Sequence, residues 1–372
     1  MVPYICIYIT IIVLCICFSY FGKNNPHSKK VCLFTIGIML SVLTGCRAST
    51  VGYDTLNYVK MFKAYAGNSD MRKIYVSYLE PGYSLLSNVI IKMGGDIHTL
   101  FIVSSLFIVF TALIFLYRYS KSFYFSVFIL SSFPYFFSSM DILRFFLGVS
   151  IWLWAIKFAI EKKPIKYILI TLVAAQFHKM IYVFILFYLF SRIRWGKVAF
   201  CIAGCFTAVL LIVPTSITQI LSSIIGRYDT YGSTNSWAGM FSGGVKTAIM
   251  YALIYIIYIL MYIKYIDIKN EKIWAENYFH SGMTILLMSS IAFINMGLMI
   301  RLMLAMQPLM AVAVGNVFGA YSEKSGKKIQ RHSIYKIHWM KAIVLLICIV
   351  YFSFLMWSNW QNVIPYIPYW RE

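Results

Sequence analysis

Residues 45–86 read GCRASTVGYDTLNYVKMFKAYAGNSDMRKIYVSYLEPGYSLL. This is the longest polar interruption in an otherwise apolar chain, and its reading decides the fold. It carries Arg47, Asp54, Arg72 and Glu80 in a protein that is only 12% charged. Tyrosines lie between them at Tyr53, Tyr58, Tyr65, Tyr75, Tyr78 and Tyr83. The stretch follows an apolar run directly, so it starts at a membrane surface. The rest of the chain reads as a helical scaffold that carries further charged residues to this loop.

Working outward, composition sets the class. The 372 residues are 61% hydrophobic and 18% aromatic, with mean hydropathy +0.76. A soluble domain has no interior large enough for that apolar surface. Runs of about 18 to 20 apolar residues read as transmembrane helices. The formal charge is +21. In a soluble protein such an excess points to nucleic acid. In a membrane protein it marks cytoplasmic loops facing anionic lipid, so nucleic acid is not an expected partner. All eight cysteines lie in or at the edge of apolar runs, without metal-ligand spacing, and read as small hydrophobes. Neither a metal nor a cofactor is expected. The first apolar run lacks a basic leader and a small-residue cleavage site, so it reads as a span rather than a cleaved signal.

The chain is therefore expected to be one all-α integral membrane domain with about 10–12 transmembrane helices, some of them short, broken or re-entrant. The spans read are 2–21, 31–46, 98–117, 122–138, 141–160, 198–213, 247–263, 280–300, 302–320 and 339–357. Residues 81–92 are too few to cross and read as a re-entrant or interfacial amphipathic helix, with Pro81 suited to its first turn. Residues 167–190 have basic residues on both flanks. They read as a short hairpin with His178 at its tip. The excess of Lys and Arg then places 47–97, 214–246 and the C-terminal tail outside, and the basic loop 321–338 inside.

Charges at membrane depth are costly and usually face an interior or an aqueous cavity. On the expected outer side they are Arg47, Asp54, Glu80, Asp141, Arg144, His178, Arg227, Asp229 and Arg301. Arg144, in SSMDILRFFLG, pairs with Asp141 at i,i+3 or binds an anion with its planar fork. Arg301, between FINMGLMI and LMLAMQPLM, is a tight turn or a second anion ligand. Arg47 is an interfacial anchor or a third. Arg227 lies in the Gly- and Ser-rich loop 214–246 and is a further substrate-ligand candidate. Asp54 and Glu80 are cap residues or proton acceptors. His178 is a satisfied tip residue, a proton acceptor or a sugar ligand.

The order Arg47–x6–Asp54–x3–Tyr58, Glu80-Pro81-Gly82-Tyr83, Arg144-Phe145-Phe146-Leu147, Ala175-Gln176-Phe177-His178-Lys179 and Arg301 resembles the EpsG family, within the wider group of Wzy-type O-antigen and exopolysaccharide polymerases. The tail NVIPYIPYW is similar to that family's ending. His178 departs from it locally, being followed by Lys179-Met180 where a small residue is expected. The resemblance implies a helical fold like that of GT-C glycosyltransferases in a bacterial inner membrane. It implies polymerisation of polyprenyl (undecaprenyl) pyrophosphate-linked oligosaccharides at the outer face, one carrier-linked unit as donor and another as acceptor. A chain-length regulator is a further expected partner.

On this reading Arg144 and Arg301, with Arg47 and Arg227, hold pyrophosphate or substrate, and Glu80, Asp54 or His178 is the base. No Asp-x-Asp pair occurs on the expected outer side, so fixed arginine charge stands where other transferases use a cation. A flippase for lipid-linked oligosaccharides and a membrane O-acyltransferase are the alternatives. The crowding of charge at one face, rather than the midplane, argues against the first. His178 leaves the second open.

Overall fold

The computed structural model describes residues 1–22, 27–66, 80–193, 203–209, 244–266, 273–294, 297, 299–325 and 331–372. Helices account for nearly all of them. Among these residues no strand forms, only one isolated bridge between Arg47 and Pro368. Seven helices are long and apolar enough to cross a membrane, or eight if one bent pair counts as a span. The chain is an all-α, multi-pass membrane protein. The expected span 198–213 lies largely outside the described residues, as do Arg227 and the rest of 214–243.

The described residues group into two compact units. The first contains residues 1–189 and 352–372. Its helices are α1 (Val2–Phe21), α2 (Ser28–Gly45), α3 (Thr55–Ala66), α4 (Pro81–Lys92), α5 (Ile97–Tyr119), α6 (Phe123–Ser132), α7 (Tyr135–Asp141), α8 (Leu143–Ile160), α9 (Pro164–Ala175) and α10 (Phe184–Phe190). A 3-10 turn, Lys179–Val183, joins α9 to α10.

The breaks in these helices have local causes. The expected span 122–138 is two helices, α6 and α7, bent by 49°. Pro134 lacks an N–H and disfavours helical geometry at Phe133 before it, so the span breaks there. A second break falls at Ile142, whose φ of −97° and ψ of 56° end α7 and begin α8. Helix α4 begins at Pro81 and ends at Lys92, as the sequence predicted. At about 1.5 Å per residue it covers roughly 18 Å, well short of a bilayer. It buries Tyr83, Ser87 and Ile90 and exposes Leu85 and Val89, which is the amphipathic pattern of a surface helix. Residues 164–190 form two short helices around a 3-10 turn, with His178 just before the turn. This is the broken hairpin expected.

Packing in the first unit runs α1 against α2 and α6, α2 against α5, and α8 against both α5 and α9. Trp152 of α8 is fully buried; its Nε1–H donates to the Tyr167 hydroxyl of α9 at 2.9 Å, and that hydroxyl donates to the Phe184 carbonyl at 2.6 Å. Gly148 lets α8 approach the hairpin. A Cβ there would stand 2.9 Å from the Ala174 carbonyl oxygen and 2.9 Å from an Ile181 side-chain carbon.

The second unit, residues 190–351, holds α11 (Gly244–Ile266), α12 (Ile273–Ala292), α13 (Met299–Ser325) and most of α14 (Arg331–Trp357). Polar groups inside it pair with each other. The Tyr258 hydroxyl meets His280 Nδ1 at 2.9 Å. Gln307 Nε2 donates to the Tyr251 hydroxyl at 2.6 Å, and the Tyr351 hydroxyl donates to Thr247 Oγ1 at 3.4 Å. In an apolar surrounding such pairs satisfy groups that water cannot reach.

Gly148→Val forces α8 away from the hairpin. Overpacking at such a contact costs about 1–3 kcal/mol. A lower melting temperature of the detergent-purified variant is the expected result, and an unchanged one would refute this close packing.

Candidate functional site

The first unit gathers five of the sequence-predicted site residues at one end of its bundle: Glu80, Arg144, His178, Asp54 and Arg47. Glu80 takes the N-cap position of α4 in extended conformation, but its side chain makes no cap hydrogen bond. It turns instead to Arg144, whose Nη1 donates to Glu80 Oε2 at 2.6 Å. The other oxygen, Oε1, accepts the Lys179 backbone N–H at 3.4 Å. The Glu80 side chain is 8% exposed and that of Arg144 21%. A pair so shielded from water needs good geometry to offset its lost hydration.

The sequence left open an ion pair between Arg144 and Asp141. The structure corrects this. The break at Ile142 puts the two residues in different helices, so the i,i+3 relation does not exist. Arg144 reaches Glu80, 64 residues earlier, and also faces two rings. Its guanidinium carbon lies 6.0 Å from the Tyr58 ring centre and 5.8 Å from that of Tyr83. These distances suit a cation held against aromatic faces. Burial raises the pKa of both tyrosine hydroxyls, so both stay protonated. The Arg144 Nε is buried without a hydrogen-bond partner among the described residues, and the buried Tyr83 hydroxyl faces the Ser87 side chain.

The hairpin docks onto α4 through backbone. The Gly82 N–H donates to the Gln176 carbonyl at 2.9 Å. A Cβ on Gly82 would stand 2.9 Å from that oxygen and 2.9 Å from the Phe177 ring. His178, next in line, is buried. Its Nδ1 accepts the Met180 N–H at 3.2 Å, and its ring meets Phe145 edge-on at 5.5 Å. The segments EPGY, RFF and AQFHK, far apart in sequence, thus form one contact.

Asp54 stands at the head of α3. Its carbonyl accepts the N–H groups of Asn57 at 3.0 Å and Tyr58 at 3.2 Å. Its carboxylate is half-buried, with Asn57 Nδ2 at 3.4 Å. Its backbone N–H donates to Asp141 Oδ1 at 2.6 Å.

Arg47 is not at an open surface, as an interfacial anchor would be. It is fully buried. Its Nη1 donates to the Thr44 carbonyl, and its Nη2 to the Met140 carbonyl at 2.6 Å. The guanidinium lies over the Phe101 ring, 4.4 Å from its centre. Burial lowers its pKa to about 10, which leaves it charged at neutral pH. Its fork is occupied by the protein.

The C-terminal tail closes this end of the unit. The Ala48 N–H donates to the Ile367 carbonyl at 2.7 Å, and the Tyr369 N–H to the Cys46 carbonyl at 3.0 Å. Ser49 donates through its N–H and its hydroxyl to the Glu372 carboxylate. Trp360 Nε1–H donates to Ser138 Oγ at 3.0 Å, and the Tyr4 hydroxyl to the Val363 carbonyl at 2.7 Å.

Arg301 belongs to the second unit. It is not in a turn between spans. Helix α12 ends at Ala292 and α13 begins at Met299, so Arg301 sits in the first turn of a helix, half-buried. Arg227 lies outside the described residues. Among the described residues no cluster of His, Cys, Asp and Glu has metal-binding geometry.

Sequence reasoning missed the parts played by Tyr58, Tyr83 and the Lys179 amide. The spacing of Tyr58 after Asp54 was visible, but the ring's approach to Arg144 depends on packing between distant segments.

Glu80→Gln and Arg144→Gln made singly and together should show coupling. Contacting charges of this kind give interaction energies of about 0.5–3 kcal/mol in double-mutant cycles. Additive losses of thermal stability in detergent would rule out the pair as a working contact.

No curated protein and no solved structure matches the chain. A family model does, over residues 30–370, nearly the whole length. With the EPGY, RFF and AQFHK segments drawn into a single contact at the end of a membrane-embedded helical unit, the chain belongs to the EpsG family.

Proposed function

We propose that the protein is a polysaccharide polymerase of the bacterial inner membrane. It transfers a growing glycan from one polyprenyl-pyrophosphate carrier to a carrier-linked repeat unit, with the site facing outside. The observation that carries this reading is the Glu80–Arg144 pair, a carboxylate and a guanidinium 2.6 Å apart at the end of a helical bundle. The reaction needs a proton acceptor beside a fixed cation, and the pair supplies both.

In this reading Glu80 takes the proton from the acceptor sugar's hydroxyl. That oxygen forms a bond to the donor's anomeric carbon, and the bond from that carbon to pyrophosphate breaks. Arg144 stabilises the charge that develops on the departing pyrophosphate, because its fork can match phosphate oxygens while its charge is fixed. Tyr58 and Tyr83 shield it from water and raise the strength of that interaction. His178, packed on Phe145 beside Lys179, is a ligand for the acceptor sugar, and Asp54 orients it. Arg47 serves as a strut beneath the site. Arg301 and Arg227 keep their proposed role as substrate cations on sequence grounds alone.

Purified protein with undecaprenyl-pyrophosphate-linked repeat units tests the reading. Glu80→Gln should abolish chain growth while leaving substrate binding nearly intact, since losing a proton acceptor affects turnover rather than affinity. Full activity in Glu80→Gln together with loss in Asp54→Asn would move the base to Asp54.

Arg144→Lys keeps the charge and loses the fork. Shorter polymer at normal expression is expected, and wild-type length would remove the arginine from the pyrophosphate. In a deletion strain, single repeat units on the carrier or on lipid A support a polymerase. Absence of exported units would indicate a flippase, and long chains lacking an acyl group an acyltransferase.

A further inference from the structure

We infer that Asp141, which the proposed chemistry leaves unused, is a positioning residue: its carboxylate holds the backbone at the head of α3 and so sets where Asp54 and Tyr58 stand beside Arg144. The inference rests on the reading above for its effect on turnover, but not for its structural content.

Asp141 is 3% exposed and is the last residue of α7, at the break before α8. A carboxylate there has no water to solvate it and needs donors from the protein. Oδ1 receives the Asp54 N–H at 2.6 Å, a short contact. The Tyr53 backbone precedes this donor directly and also faces the carboxylate. The loop backbone thus approaches one buried side chain at the head of α3.

The turn that delivers them is built for close approach. Gly52 has φ of +100°, and a Cβ there would lie 3.3 Å from Asp141 Oδ1 and 2.8 Å from Thr55 Oγ1. A side chain at this position is strained and crowds the carboxylate. The Gly52 N–H is itself held by the Asn362 carbonyl at 3.1 Å. Next to the contact, Arg47 donates to the carbonyl of Met140, the residue before Asp141, so a buried guanidinium lies near the buried carboxyl group.

The geometry carries forward from this anchor. Asp54 starts α3, and Tyr58 falls in its first turn, with its ring 6.0 Å from Arg144 and 6.0 Å from the Tyr83 ring. Among the described residues the Asp54 carboxylate, by contrast, accepts a hydrogen bond only from Asn57 Nδ2, at 3.4 Å. One aspartate therefore fixes the backbone while the other keeps its side chain for a ligand.

The test uses the full-length protein in nanodiscs and three variants: Asp141→Ala, Asp141→Asn and Gly52→Ala. Two readouts are taken, amide hydrogen exchange across residues 48–66 and chain growth on undecaprenyl-pyrophosphate-linked repeat units. In Asp141→Ala the amides of residues 52–58 should exchange faster. Turnover should fall about 100-fold, the scale of a small misplacement at a reacting centre, with little change in KM. Asparagine keeps an oxygen acceptor for the Asp54 N–H, so Asp141→Asn should restore protection and bring turnover to within about tenfold of wild type.

Gly52→Ala disturbs the same contact without altering a helix, and should reproduce the alanine phenotype if Asp141→Ala fails to fold. Wild-type exchange and turnover in both Asp141→Ala and Gly52→Ala would overturn the inference. So would an Asp141→Asn protein that is inactive with its loop still protected, since Asp141 would then be a reacting group. Should the wild-type protein form no polymer, the proposed function fails by itself. The exchange data still decide the anchor: lost protection in the alanine variants with rescue by asparagine supports it, and unchanged protection overturns it.

Discussion

The Glu80 carboxylate is the constraint around which the first unit is arranged. A charge withdrawn from water at the end of a membrane bundle must be answered by the protein. Glu80 is answered twice, by the Arg144 guanidinium and by the Lys179 amide. Each answer brings a chain segment with it. Arg144 brings the start of α8, and Lys179 brings the 3-10 turn after α9. Because Glu80 directly precedes Pro81, it also fixes where α4 begins. Gly82 then allows the hairpin backbone to approach within hydrogen-bond distance, which a larger residue would prevent.

Beneath this contact lies a second layer of charge, formed by Arg47 and Asp141. Among the described residues neither has a carboxylate or guanidinium partner in direct contact, and both meet backbone. Arg47 donates through Nη1 and Nη2 to carbonyls at the end of α2 and in α7, with Nε left without a partner among the described residues, and Asp141 accepts the Asp54 amide from the loop before α3. Charged side chains satisfied by main chain act as fixed points, since removing one leaves several polar groups without partners at once. The upper layer is suited to meeting a ligand, and the lower layer to keeping the upper one in place.

The sequence made much of this legible, and the misses share one cause. Helix α4 was readable to the residue, because Glu80-Pro81 marks a start and the apolar face repeats at helical spacing. Among the described residues, seven of the apolar runs are readable as spans by length alone. The broken hairpin followed from basic residues on both of its flanks. What failed were inferences that assumed an unbroken helix or a local partner. Of the two readings open for Arg144, an i,i+3 pair with Asp141 or an anion ligand, the Ile142 break removes the first. Arg301 was read as sitting between spans, yet α13 begins before it. Arg47 was read as a surface group because it follows the last residue of a span. Its burial comes from Phe101, Met140 and the C-terminal tail, none of which periodicity near Arg47 can reveal. Partners separated by 64 to 99 residues, as Glu80 is from Arg144 and Lys179, leave no local pattern.

The pairing of the tail with residues 46–49 has a consequence for how the protein is made. Ribosomes deliver a chain from its N-terminus, and membrane insertion follows that order. The segment after α2 emerges early, yet its amides and carbonyls meet their partners at residues 367–369 only after the whole second unit has been made. Until then that polar segment stays hydrated, and the end of the bundle remains open to water, proteases and insertion machinery. Assembly of the first unit thus waits on synthesis of the second, and a ribosome stalled anywhere in the second unit would leave it unfinished.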